Sequence, residues 1–102
     1  MSVSAEYLDK VRFTVRRATG NAPVDAELTA LIEQCRADLI RAGLPSVLAN
    51  DEGNALVLGA VRCFVRWQFG IDGDNAERNR EDYLLMADDL RKSVIKRGLE
   101  GE

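Results

Sequence analysis

The chain has 102 residues, 46% apolar and 30% charged, with a net charge of −3, two cysteines and no histidine. That length suits a single domain with its own core, and so much apolar content excludes a chain that is disordered throughout. The lack of histidine removes Cys-His and Ser-His dyads and imidazole metal sites, and the mildly acidic balance argues against a dedicated nucleic-acid binder.

In chain order, Ser4 is the expected N-cap of a first helix over residues 4–18, with Glu6 in its first turn and Leu8, Val11, Val15 and Ala18 as its buried stripe. Residues 1–20 carry four basic and two acidic side chains, among them Arg12, Arg16 and Arg17, so the basic end of the chain is its start. Phe13 and Thr14 lower helix propensity there and could support a short strand. Residues 19–23 supply a glycine stop and a turn.

A second helix is predicted over 25–42, with Asp25 as N-cap and Leu28, Leu31, Ile32, Cys35 and Leu39 facing the core. Its end is signalled by Gly43 at C′, Leu44 at C″ in reach of Leu39, and Pro45. Residues 46–50 form a short loop or a single helical turn.

The third helix, 51–69, is capped by Asn50 or Asp51 and closed by Gly70, and it is the expected centre of the fold. Leu56, Ala60, Cys63 and Trp67 make one apolar row, and Val57, Val61, Phe64 and Val65 make another, so two faces demand burial. Asn54, Arg62 and Arg66 share the narrow polar strip left over. Gly59, unfavourable in a helix interior, suggests close approach of another backbone.

After a turn at 71–73, Asp74 and Glu77 form a variant capping box that opens a fourth helix, 75–97. Tyr83, Met86 or Ala87, Leu90 and Val94 are its buried stripe; Arg91, Lys92, Lys96 and Arg97 complement the dipole at its end, and Gly98 stops it. The reading is an all-α bundle of four helices in one domain, 1–98, with residues 99–102 a frayed tail. Leu31, Leu39, Gly43, Phe64, Trp67, Phe69, Gly70, Asp74 and Tyr83 are its architectural residues.

The chemical motifs are weak. Cys35 and Cys63 lie on apolar helix faces as small hydrophobes, a disulfide or metal pair being the lesser reading. Asp72, Asp74 and Asn75 suggest a calcium loop, but Glu77 and Tyr83 stand where an EF-hand needs Gly and a carboxylate. Adjacent acids such as Glu81 and Asp82, or Asp88 and Asp89, diverge by about 100° on a helix and suit solvent better than shared acid-base work. No catalytic signature, cofactor motif or secretory signal is read, and the longest apolar run, 55–61, is far below the ~18 residues of a membrane span. The expectation is a non-enzymatic protein made in the cytoplasm, without a cofactor.

Two blocks carry a resemblance. The first is residues 25–44, with Leu31-Ile32, the run Ala37-Asp38-Leu39-Ile40 and the ending at Gly43. The second runs from Ala60 through Phe64, Trp67 and Phe69-Gly70 to Asp74-Asn75-Ala76-Glu77-Arg78 and Tyr83-Leu84. In this combination of an aromatic-rich helix ending in Phe-Gly, an Asp-Asn turn and a Tyr-bearing last helix, the chain resembles the head-tail connector (adaptor, or head-completion) proteins of tailed phages and prophages. Ala76 stands where members often have proline, and residues 1–20 match only as a generic helix.

The resemblance implies a structural virion protein at the head-tail junction, made in the host bacterial cytoplasm. It would form a ring matched to the twelvefold portal and a platform for the stopper or tail-completion protein, with transient, non-specific DNA contact as the genome passes and no membrane partner. In that setting Arg12, Arg16 and Arg17 are expected to meet the acidic Glu81, Asp82, Asp88 and Asp89 of a neighbouring subunit, because a ring joins unlike patches. Arg91, Lys92, Lys96 and Arg97 are expected to dock on the portal. The competing reading is a small helical DNA-binding or regulatory module using the basic first helix.

Overall fold

The computed structural model describes residues 3–14, 22–69 and 75–101, without the side chains of 22 and 94–101. Five helices follow one another, α1 (Ala5–Thr14), α2 (Ala22–Arg41), α3 (Ser46–Ala49), α4 (Ala55–Phe69) and α5 (Ala76–Gly101), with no strand among the described residues. The all-α class holds, and the turn at 46–49 is the fifth, shortest helix.

Helix ends follow local chemistry. Ser4 caps α1, its Oγ accepting the Tyr7 N–H at 3.1 Å. Thr14 is helical, so the alternative of a strand at Phe13 and Thr14 is not taken; Val15 to Ala18 lie outside the described residues. α2 begins at Ala22, ahead of the expected Asp25, because Pro23 falls in the first turn, where the amide N–H groups have no helical acceptor. Its other end is the expected left-handed stop. Gly43 has φ +121°, the Leu44 N–H reaches the Leu39 carbonyl at 3.0 Å and the Gly43 N–H reaches Ile40 at 3.0 Å.

The cap of α4 is displaced from the expected Asn50 or Asp51 to Asn54, whose Oδ1 accepts the Leu56 and Val57 N–H groups at 2.9 and 3.1 Å. Asp51 closes the preceding turn by accepting the Gly53 N–H. Asn54 therefore leaves the polar strip, which Arg62 and Arg66 keep, both exposed. At the far end, α5 continues through Gly98, expected to stop it, to Gly101. A glycine inside a helix costs only about 1 kcal/mol and ends one only where a left-handed turn is also made. Gly70 and Asp74 lie outside the described residues.

α4 is the centre, packed on α1, α2 and α5. Its row Val57, Val61, Phe64 and Val65 is buried, together with Ala60. The second row is only half satisfied: Leu56 is 63% exposed, and Cys63 and Trp67 are half-buried. α2 buries Leu28, Ile32, Cys35 and Leu39, with Leu31 half-buried, and α5 buries Tyr83, Ala87 and Leu90. Tyr7 joins Val11 in burying α1, a core residue that apolar periodicity alone had passed over.

Gly59 faces a side chain and not a backbone, for a Cβ there would lie 2.5 Å from the Met86 methyl. The Cys63 thiol donates to Met86 Sδ at 3.7 Å, so the α4–α5 seam is lined with sulfur. Trp67 lies beside Tyr83, Cys63 meets Met86, and Leu56 lines one hollow with Leu90, so α4 and α5 run antiparallel.

Polar clasps fix α1. Glu52 accepts hydrogen bonds from the Ser4 N–H at 3.0 Å and from its hydroxyl, and it receives Arg36 Nη2 at 3.0 Å. Arg36, only 4% exposed, also lies over the Tyr7 ring with its carbon 5.2 Å from the centroid. Burial pushes the Tyr7 hydroxyl up to about 12, outweighing the nearby guanidinium. At the opposite end of α1, Arg12 pairs with Asp9 and with Asp25 of α2, the latter at 3.1 Å.

Candidate functional site

The sequence-predicted residues do not form one site. Arg12 joins α1 to α2, its side chain only 15% exposed, and so is committed within the chain. Arg16 and Arg17 lie outside the described residues, as do the side chains of Lys96 and Arg97. Asp88 pairs with Arg91 at 2.7 Å and Lys92 at 2.8 Å, so an acid assigned to one contact and two cations assigned to another meet each other. Hydrogen bonds from Lys92 and Arg91 hold the Asp88 carboxyl below the usual carboxylate range. Arg91 also lays its stem against Gly43, where a Cβ would meet Cγ of Arg91 at 3.4 Å. Glu81, Asp82 and Asp89 stay exposed.

What the fold does assemble is a groove of about 420 Å³ between α2, α4 and α5. α2 contributes Gln34, Asp38 and Arg41, α4 contributes Phe64, Trp67 and Gln68, and α5 contributes Arg80, Tyr83 and Leu84. Its floor is aromatic. Phe64 meets Trp67 edge-on at 5.7 Å between centroids and Tyr83 at 5.0 Å, while Trp67 and Tyr83 lie 6.3 Å apart.

A fixed polar chain crosses that floor. The Tyr83 hydroxyl donates to Asp38 Oδ2 at 2.6 Å, and Arg41 donates to Oδ1 through Nε at 3.2 Å and Nη2 at 2.8 Å. Burial pushes the Asp38 carboxyl up, but the bonds from Tyr83 and Arg41 outweigh it and leave the carboxyl below its ordinary range. Burial and the neighbouring Cys35 and Asp38 drive the Tyr83 hydroxyl far upward, and burial pushes the Cys35 thiol up to about 12. Tyr83 thus keeps its proton and Asp38 its charge across the neutral range, a donor and acceptor frozen in place.

On the rim, Arg41 is 76% exposed and Arg80 is 44% exposed, the latter tied to Glu77 at 3.0 Å. The groove is an anchored aromatic surface flanked by two guanidinium groups, suited to holding an apolar side chain beside a carboxylate.

Phe64, Trp67 and Tyr83 of this groove were legible as architectural residues; Asp38, Arg41 and Arg80 were not singled out. One signal was present, since Asp38 follows Leu31 and Cys35 at i+7 and i+3, placing a carboxylate on the row that packs against the core. Among the described residues no three Cys, Asp or Glu side chains are placed to hold a metal ion, and no helix is long and apolar enough to cross a membrane. No family model, curated protein or solved structure matches the chain.

Proposed function

We propose that the chain is a phage or prophage head-tail connector, a structural adaptor that assembles as a ring between the portal and the stopper or tail-completion protein. The observation that carries this reading is where the resembling residues fall. Phe64, Trp67 and Tyr83, from the more specific block, are the residues that join α4 to α5. Leu39 and Gly43, from the other block, close α2 onto the same core. A ring of unlike contacts needs two different surface patches on each subunit, and the groove between α2, α4 and α5 is one such patch.

The competing reading, a DNA-binding module, loses part of its support because Arg12 is engaged by Asp9 and Asp25. Mixing the purified protein with portal particles and imaging them in negative stain tests the proposal. Rings seated on the portal vertex are expected. Failure to associate with the portal, together with salt-sensitive binding of short duplex DNA, would overturn the proposal in favour of the regulator.

A further inference from the structure

The α4–α5 seam brings two sulfur atoms from different helices to one point, Cys63 Sγ of α4 lying 3.7 Å from Met86 Sδ of α5. Gly59, one turn before Cys63, sets that approach. The Met86 methyl fills the space where any other residue would carry its Cβ, 2.5 Å away, so the end of the side chain is seated on α4 with its sulfur beside the thiol. Neither group is sealed into the core. Both are half-buried, and Met86 also lines a hollow of about 100 Å³ with Leu56, Asp89, Leu90 and Ser93. Cys35, the only other cysteine, is fully buried.

We infer that Cys63 and Met86 form a binding site for a soft monovalent cation, Cu(I) or its analogue Ag(I), that clips α4 to α5. The donor set chooses the ion. A thiolate and a thioether are soft ligands and select a soft metal, whereas Zn²⁺ and the harder cations call for more donors, of nitrogen, oxygen or further thiolate. Among the described residues no three Cys, Asp or Glu side chains converge to supply them. The spacing fits as well. Two metal–sulfur bonds of about 2.3 Å, the length of a zinc–thiolate bond, would meet at about 107° across the 3.7 Å separation. That bent arrangement leaves the outer side of the ion to chloride or a small thiol. Binding exchanges the thiol proton for the metal: the S–H bond breaks, a metal–sulfur bond forms, the proton leaves to solvent and no electron moves. Burial and the nearby Asp82 hold the Cys63 thiol above its usual range, against Arg66, so the thiol keeps its proton until the metal replaces it. The inference is independent of the connector reading.

Competition with a chromophoric Cu(I) chelator, without oxygen and with ascorbate present to keep the copper reduced, tests it on the full chain. Wild type is expected to take one Cu(I) per chain, with a sedimentation coefficient that the metal leaves unchanged. Met86→Leu keeps the side-chain volume and removes the thioether, and it is expected to weaken affinity by about tenfold or more. Cys63→Ser is expected to weaken it by about a hundredfold or more, since a direct ligand counts for at least as much as the outer-shell groups around one. Cys35→Ala is expected to bind as wild type does, and circular dichroism checks that every variant is folded. Stoichiometric Ag(I) is expected to raise the thermal midpoint of wild type by more than that of Met86→Leu, because an ion held by both helices binds the folded state alone. Equal affinity in wild type and Met86→Leu would mean that a lone thiol holds the ion, and would overturn the site. Loss of binding in Cys35→Ala, one ion shared between two chains, or a wild type that takes no copper from the chelator would overturn it as well.

Discussion

The Tyr83 hydroxyl lies 2.6 Å from Asp38 Oδ2 and joins α5 to α2 across 45 residues of sequence. Tyr83→Phe keeps the ring contacts and removes only that bond, so a loss of about 1.5–3 kcal/mol is expected, in the range of a hydrogen bond to a charged group. Urea unfolding followed by circular dichroism measures it, and a loss below ~0.5 kcal/mol would show that water replaces the hydroxyl without penalty.

The same pair gives the protein an acid limb. The folded Asp38 carboxyl is depressed below its unfolded value, as is Glu52, where burial pushes upward and the bonds from Ser4 and Arg36 prevail. A depressed carboxylate contributes stability that is complete above its unfolded pKa, about 4, and is lost as pH falls through the folded value. Stability is therefore expected to be flat near neutrality and to fall below about pH 4, with a shallower fall in Tyr83→Phe. Equal acid slopes in the two proteins would remove Asp38 from this account.

Glu52→Gln should loosen α1 before the rest of the molecule. It weakens the acceptor for Ser4 and leaves the Arg36 guanidinium, almost wholly buried, without its carboxylate. A cost of about 1–3 kcal/mol is expected, and hydrogen exchange should show the amides of Tyr7 and Leu8 losing protection ahead of those in α4. Uniform loss across all helices would mean that α1 does not open separately.

Gly59→Ala sets two effects of similar size against each other. Alanine improves helix propensity by about 1 kcal/mol, while its methyl must displace the end of Met86, a flexible side chain. A change within about 1 kcal/mol of wild type is expected, whereas Gly59→Val, β-branched and larger, should cost about 2 kcal/mol or more. Thermal unfolding of both variants decides it.

Trp67 is the sole tryptophan, half-buried against Phe64 on the groove wall. Trp67→Ala should cost about 2 kcal/mol, below the 3–5 kcal/mol of a fully buried large aromatic. Its fluorescence should be partly quenched by iodide in the wild type and protected when the groove is occupied.

Apolar periodicity carried most of the architecture. Leu28, Ile32, Cys35 and Leu39, then Val57, Val61 and Phe64, then Tyr83 and Leu90 could be placed on buried faces because a 3.6-residue repeat leaves few alternatives. The Gly43-Leu44-Pro45 stop was equally readable, since each residue has one role in that motif. Caps were not, because Asn50, Asp51 and Asn54 are chemically interchangeable at an N-terminus and only the path of the turn selects Asn54. The groove was hidden for another reason. Asp38, Arg41 and Arg80 acquire meaning only when α2 and α5 are brought side by side, and a single-helix pattern holds no information about that neighbour. Tyr7 was passed over because its burial depends on Arg36 and Glu52, 29 and 45 residues further on.

The bond from Ser4 to Glu52 spans 48 residues, and that separation orders events in time. α4 and α5 meet across a short connection and can pair early, whereas the first helix has no acceptor for its cap until the turn before α4 has formed. The Ser4–Glu52 clasp is therefore expected to form on the native side of the folding barrier, so substitutions at either residue are expected to quicken unfolding and leave the folding rate nearly unchanged. That clasp is then expected to be among the last contacts to form and the first to open.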